Sequence, residues 1–322
     1  MTLSLSLEEL EQAAKLVYRH MAPTPQYAWP LLAQRAGCEV WVKHENHTPT
    51  GAFKVRGGLN YMQRLKEEQP CISGVISATR GNHGQSIGFA AGVTGMRATI
   101  LVPFANNPEK NSAMRALGVE LIEYGEDFQE AAEHAQTLAV SKGLHMVPSF
   151  HPWLVAGVAS YGLEFFRNQP DLDAVFVALG MGSGICSLIQ ARNALGLKTK
   201  IYGVVAQNAP AYSLSFKEGR VVSTESADTL ADGVACRSPN ELALETILDG
   251  AADIITLSED EILAAMAHYF TDTHNLAEGA GAAPLAALLQ RRASFTGGRV
   301  GLILSGGNPD KALLKRALEF GD

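Results

Sequence analysis

Four stretches of this 322-residue chain combine residue types and spacings that can do chemistry. The first is Thr50-Gly51-Ala52-Phe53-Lys54-Val55-Arg56-Gly57-Gly58, where Lys54 falls near the expected start of a helix. The positive end of a helix dipole disfavours an ammonium there. Such a place suits a lysine wanted as its neutral amine, the form that condenses with a carbonyl; an exposed surface lysine is the plain alternative. The second is Gly180-Met181-Gly182-Ser183-Gly184, between an apolar segment and a helix. Its backbone N–H groups and the helix dipole favour an anion, and the lack of Cβ atoms lets the backbone approach a phosphate closely. The spacing is neither GxGxxG nor a Walker loop, so no dinucleotide or ATP is specifically indicated, and a tight structural turn would read the same. The third is Ser77-Ala78-Thr79-Arg80-Gly81-Asn82-His83-Gly84-Gln85, a polar loop offering N–H groups and an Asn side chain to an anionic ligand. His83 alone reads equally as a capping or packing residue. The fourth is Ser305-Gly306-Gly307-Asn308, which closes the last apolar strand. In doubly wound sheets ligands lie beyond the carboxyl ends of the strands, although a simple turn is the alternative.

For these stretches to meet, the elements between them must run as a parallel sheet. The chain alternates accordingly: strands are expected at Glu39–Lys43, Val75–Ala78, Ala98–Val102, Val119–Tyr124, His145–Val147, Ala174–Ala178, Ile201–Val205 and Gly298–Leu304. Between them fall helices near Ala52, at Gly84–Gly92, after Asn107-Pro108, at Phe128–Lys142, Val155–Arg167 and Ile185–Leu195. Such βαβα order implies helices wrapping a parallel sheet. Ser6 with Glu9, and Ser258 with Glu261, read as capping boxes; the first opens a helix of about four turns that Ala22-Pro23-Thr24-Pro25 stops. Residues Ser213 to Asn240 read as loop-rich. No internal repeat, low-complexity tract or linker appears, so two intimately packed domains with a cleft between them are expected.

The order Phe53-Lys54, then Gly81-Asn82-His83-Gly84, then Gly180 to Gly184, then Ser305-Gly306-Gly307-Asn308 resembles the serine/threonine dehydratase family of pyridoxal-phosphate (PLP) enzymes, fold type II. The resemblance runs from about Ala22 to Leu318. It implies an α/β, tryptophan synthase β-like fold with a large domain of residues 1–72 and 152–322 and a small mobile domain of 73–151. It also implies that Lys54 binds PLP covalently and acts as the base at Cα. Phe53 would pack near the ring, Asn82 would hydrogen-bond its 3′ oxygen, and Gly180, Met181, Gly182, Ser183 and Gly184 would cradle the phosphate. Ser305 would face the pyridine nitrogen. Thr79, Arg80, Gly81, Asn82 and His83 would surround a substrate, its carboxylate held largely through N–H groups. The implied reaction is loss of water from a β-hydroxy amino acid such as threonine, serine or phenylserine, the hydroxyl leaving with a proton from the PLP phosphate, to give a 2-keto acid and ammonia. A β-replacement synthase of the cysteine-synthase type and an amino-acid racemase are the rival enzymes, and a non-catalytic binding protein the rival of another class.

Several positions depart from the family pattern. Arg80 stands where many relatives carry Ser or Ala; in racemases that serine is the second acid/base, a role an arginine cannot take. No carboxylate occurs between Ile201 and Phe216, where some relatives bind a divalent cation, so no metal is expected. Met181 and Ser183 interrupt a loop that is often all glycine, and Gly157-Val158-Ala159-Ser160 replaces the commoner GQGT. These changes point to a side branch, near phenylserine or hydroxyectoine-utilising dehydratases. The chain ends at Asp322, so the regulatory region of biosynthetic threonine deaminases is not expected.

Composition bounds the rest. Apolar residues make up 47% and charged residues 18%, enough for a full core. With a formal net charge of -7 and no basic stripe, nucleic acid is not an expected partner. Cys38, Cys71, Cys186 and Cys236 are isolated, as in a protein with reduced thiols, and suggest neither a zinc site nor a disulfide framework. The N-terminus lacks the pattern of a signal peptide and no apolar run approaches membrane-spanning length. A cytoplasmic homodimer acting on a small molecule is the expectation.

Overall fold

The computed structural model describes residues 2–320. Its strands are β1 (Gln26–Ala28), β2 (Glu39–His44), β3 (Gly74–Ala78), β4 (Arg97–Val102), β5 (Glu120–Glu123), β6 (His145–Met146), β7 (Ala174–Ala178), β8 (Lys200–Ala206), β9 (Asp253–Leu257) and β10 (Arg299–Leu304). They form two sheets, of order β1-β2-β10-β7-β8-β9 and β5-β4-β3-β6. Every pairing is parallel except that of the edge strand β1 with β2. This is the α/β architecture that the alternation predicts. β3 and β7 consist of apolar or small residues buried along nearly their whole length, as strands covered on both faces must be.

Both capping boxes form, with the Ser6 and Ser258 hydroxyls accepting from the N–H groups of Glu9 and Glu261. The first helix is shorter than expected: it ends at Val17, well before the prolines, and covers its buried face with Leu10, Ala13, Ala14 and Val17. Within the stretch read as loop, a helix at Ala211–Glu218 forms against the large sheet. Helix Gly279–Gln290 was not foreseen either. Its sequence GAGAAPLAALLQ has no polar face and contains Pro284 in its interior, both of which obscure a helical period. The helix is nevertheless buried over most of its length, where an apolar surface all round is what packing requires. None of the described helices is long and apolar enough to cross a membrane.

Two features fix the helix that begins at Lys54, Lys54–Glu68. One is a close crossing with helix Pro152–Asn168: a Cβ added at Gly157 would lie 2.4 Å from the Arg56 carbonyl oxygen, so the two backbones nearly touch. The other is a buried ionic network. Arg56 Nε donates to Glu45 (2.7 Å), and Nη1 donates to Glu164 (2.7 Å) and to the Ser160 hydroxyl (2.9 Å). Lys43 Nζ donates to the Thr24 carbonyl (2.7 Å) and pairs with Glu164. Two cations thus face two carboxylates inside the protein. Burial works against the charge of Arg56 and of Glu164, but their partners outweigh it: the Arg56 pKa is raised and the Glu164 carboxyl is held below its usual range.

Breaking such a network from one side leaves an uncompensated buried charge. Arg56→Met is therefore expected to destabilise the protein by roughly 3–5 kcal/mol in urea denaturation, while Arg220→Met, which opens the exposed pair with Glu218, should cost no more than about 1 kcal/mol. Equal effects of the two changes would contradict the assignment.

Candidate active site

A cleft of about 720 Å³ opens at the carboxyl ends of β3, β7 and β10, the strands that lead into the three loops singled out in the sequence. Phe53, Lys54, Thr79, Arg80, Gly81, Asn82, His83, Gly180, Met181, Gly182, Ser183, Gly184 and Ser305 all line it. The four stretches, spread over some 250 residues of chain, are brought together there.

Four of the helix N-termini that face this cleft begin at Lys54, Asn82, Ser183 and Gly279, with Phe53, Gly81, Gly182 and Glu278 as their N-cap residues. None of these four has a side-chain cap. The helices that begin at Leu7, Pro108, Pro152, Glu241, Glu259 and Lys311, and that at Phe128, which also borders the cleft, are each capped by the side chain that precedes them, while those at Pro30 and Ala211 are not. The first N–H groups of a helix need acceptors, and the uncapped ends leave theirs for a ligand. In the glycine loop, a Cβ at Gly180 would lie 2.1 Å from the Gly233 carbonyl oxygen, and Gly182 has φ +99°, which a side chain would strain. The loop is therefore a cradle that only glycine allows at these two points.

Lys54 crosses the cleft, its Nζ 3.2 Å from the Ser183 hydroxyl and 5.0 Å from the centre of the Phe53 ring. Burial pushes its pKa down to about 8, partly offset by the nearby Glu278. The Phe53 N–H donates to the Ser305 carbonyl (3.0 Å), which seats the lysine stretch on the serine turn. The Ser305 side chain makes no hydrogen bond to the described residues and faces the cleft. In the third loop, Thr79 Oγ1 accepts from the Gly81 N–H (3.1 Å). His83 hydrogen-bonds the backbone of Pro148; burial and the Lys54 charge hold its pKa down near about 3, so it is neutral. Its Nε2 is enclosed without a partner. Arg80 lies exposed on the cleft wall, with no hydrogen bond or ion pair to any described residue.

Seven charged residues of the cleft lining, Lys110, Asp127, Glu225, Asp228, Asp232, Arg237 and Glu278, were not singled out by the sequence, and three of them make contacts across it. Glu278 accepts from Asn82 Nδ2 (2.7 Å), and its burial raises its pKa against the influence of Lys110 and Asn82. Lys110 pairs with Asp232 at 2.6 Å across the cleft. A signal for Glu278 did exist: it is the one carboxylate, lysine or arginine between Asp272 and Arg291, in an otherwise small and apolar run. Among the described residues no cluster of His, Cys, Asp and Glu is arranged to hold a metal.

Comparison with known proteins places this geometry. The family model "Pyridoxal-phosphate dependent enzyme" matches residues 17–306. An L-threonine ammonia-lyase of Thermotoga maritima is 32% identical over 98% of this chain and 79% of its own length. An L-threo-3-hydroxyaspartate ammonia-lyase of a Pseudomonas species is 31% identical over 95% and 96%. The structure of the processed form of threonine deaminase isoform 2 from Solanum lycopersicum superposes with a TM-score of 0.91 at 29% identity, covering 100% of this chain and 96% of that one.

The lowered pKa of Lys54 has a direct readout. Below about pH 8 its amine is protonated and inert; above it the free amine predominates. In ligand-free protein, acylation of Lys54 followed by mass spectrometry should rise with a midpoint near pH 8. A midpoint near the ordinary lysine value of about 10.4 would show that the side chain is not buried as described.

Proposed function

The chain belongs to the pyridoxal-phosphate dependent enzymes, and on that premise we propose that it is an ammonia-lyase that dehydrates a β-hydroxy amino acid to a 2-keto acid and ammonia. The observation that carries this reading is Lys54, a buried amine with lowered pKa at the meeting point of uncapped helix ends, in a chain whose relatives include threonine and hydroxyaspartate ammonia-lyases.

The residues fit PLP. The glycine cradle with the uncapped end at Ser183 suits a phosphate dianion, and the Lys54 amine suits an aldehyde. The unpartnered Ser305 hydroxyl suits an uncharged ring nitrogen, and Phe53 offers an apolar neighbour for a ring. When bound, the cofactor supplies the electron sink that makes the Cα–H bond of an amino acid acidic. Lys54 takes that proton. The N–H groups of Thr79 to His83 hold the substrate carboxylate, and neutral His83 adds no competing charge. A hydroxyl at Ser305, unlike a carboxylate, does not keep a ring nitrogen protonated. With the phosphate held in the glycine cradle, its acid proton would be available to the departing β-hydroxyl, which would leave as water. The released enamine hydrolyses to the 2-keto acid and ammonia. Arg80, always protonated, cannot serve as a second base on the opposite face, which counts against racemisation.

Arg80 also bears on substrate choice. A free guanidinium on the cleft wall suits a β-substituent with a carboxylate or another acceptor, through a bidentate contact. The substrate named for the Pseudomonas relative has a carboxylate in that position. We infer further that residues 73–151, which contain all four strands of the smaller sheet, close as a unit on the body formed by 1–72 and 152–322 and exclude water. By resemblance the enzyme is a cytoplasmic homodimer. No divalent cation is required, since the segment from Ile201 to Phe216 offers no carboxylate.

Purified protein loaded with PLP is expected to absorb near ~410 nm, as the lysine-bound cofactor does, and Lys54→Ala to lose that band. Incubation with L-serine, L-threonine, L-threo-phenylserine and L-threo-3-hydroxyaspartate should release keto acid and ammonia from at least one of them, with EDTA present or absent. Product formed only with added sulfide would favour β-replacement, and no turnover at all a binding protein. Arg80→Ala should lower kcat/KM for the preferred substrate by roughly 1.5–3 kcal/mol, about ten- to a hundredfold. A kinetically silent Arg80→Ala would remove the residue from the site.

A further inference from the structure

Asn82 sits at the start of its helix with both ends of its side-chain amide committed to groups from distant parts of the chain. Its Oδ1 accepts from Asn308 Nδ2 at 2.9 Å, and its Nδ2 donates to Glu278 Oε1 at 2.7 Å. Asn308 is itself fixed: its Nδ2 also donates to the Thr50 carbonyl (2.9 Å), and a Cβ added at Gly51 would lie 2.4 Å from its Oδ1. Both hydrogens of the Asn308 amide are thus spent on oxygen acceptors, which forbids the flipped orientation. Glu278 is held in turn by its own N–H, which donates to the Gly306 carbonyl (3.1 Å), and a Cβ at Gly306 would lie 2.4 Å from its Oε1. With Oδ1 pinned by Asn308, Asn82 can present only N–H to the other side. One of those hydrogens goes to Glu278, and the second is free.

We propose that Asn308 and Glu278 are positioning residues that lock the amide of Asn82 in one orientation, so that its free Nδ2–H is kept as a donor to the ring oxygen of the bound cofactor. The proposal rests on the PLP reading of the cleft. It assigns a task to two residues that touch Asn82 from the lysine and serine-turn side of the cleft. Without such a clamp, the orientation of a side-chain amide is set only by its remaining hydrogen bonds, and part of the cofactor's binding would go into selecting the donor face.

The test uses the full-length, PLP-loaded enzyme and two readings besides turnover: the dissociation constant for PLP and the position of the visible band as a function of pH. Asn308→Asp keeps the shape of the side chain but has no N–H for Thr50 or Asn82, and Glu278→Ala removes the acceptor. Each is expected to weaken PLP binding roughly two- to tenfold and to shift the band or its pH dependence. Glu278→Gln retains an acceptor oxygen for Asn82 and should keep PLP affinity close to that of the wild type, although loss of the charge beside Lys54 shifts the pH dependence of the band in both Glu278 variants. If Asn308→Asp does not fold, Asn308→Ala gives the same two readings without adding a carboxylate. Unchanged PLP binding in Asn308→Asp (or Asn308→Ala) and Glu278→Ala would overturn the clamp, as would Glu278→Gln binding PLP as weakly as Glu278→Ala. If the wild type takes up no PLP, the functional reading itself falls and the clamp with it; a coloured wild type with silent variants overturns the clamp alone.

Discussion

The site depends on one buried charge. Arg56 lies two residues beyond Lys54 on the same helix, has no exposure to solvent, and binds two carboxylates and two hydroxyls. Its partners come from the turn after β2, from helix Pro152–Asn168 and from the segment around Thr24. Those ties set the rotation and height of the Lys54 helix against the large sheet. A guanidinium inside a protein is tolerated only when its donors are used together. The network therefore accepts few alternative positions for the helix, and so few for the lysine. The near-contact of Gly157 with the Arg56 carbonyl serves the same end from the backbone side.

Around that fixed lysine the rest of the cleft is assembled from strand ends. Each loop begins where a parallel strand stops, so the loops converge because the strands are neighbours: β10 lies between β2 and β7, and β3 belongs to the second sheet that faces them. The serine turn and the lysine stretch are stitched by backbone, through Phe53 to Ser305 and Gly307 to Gly51. Side chains then join the two sheets across the opening. Asn107 reaches Asp310 at 3.1 Å and Lys110 reaches Asp232 at 2.6 Å, both from the start of helix Pro108–Ala116. The geometry is thus strict near the lysine and held by a few exposed or half-exposed polar contacts at the rim.

Much of this was legible in the sequence because its physics is local. Buried parallel strands are short apolar runs bounded by glycine, and Ala174–Ala178 falls where the run predicts. A capping box needs only two residues three apart, and both form. The cleft residues were legible for another reason: each stretch alone reads equally as a turn or a surface residue, and it is their order along the chain that resembles a known family. What stayed hidden is long-range or lacks contrast. Lys110 and Asp232 are 122 residues apart, and Asn82 and Glu278 are 196 apart, so nothing local marks either pair. Edge strand β1 has three residues, two of them exposed, and no alternation to read. Helix Gly279–Gln290 carries no polar stripe, because every side of it is covered.

The uncapped helix ends have a consequence for the protein as a thermodynamic object. Four helix ends without side-chain caps, each a positive dipole end, converge on one cavity with Lys54 and the carboxyl of Glu278. Empty, that arrangement lacks the bound anion that those ends favour. Part of the folding free energy is thus deferred until an anion arrives, and whatever dianion fills the cradle becomes a structural component. By mass action, such a ligand at a hundred times its dissociation constant adds about 2.7 kcal/mol to the stability of the fold. The equilibrium stability of this fold is for that reason linked to the supply of its cofactor. A shortage would cost activity in proportion to the sites left empty and, besides that, stability with the logarithm of the free cofactor.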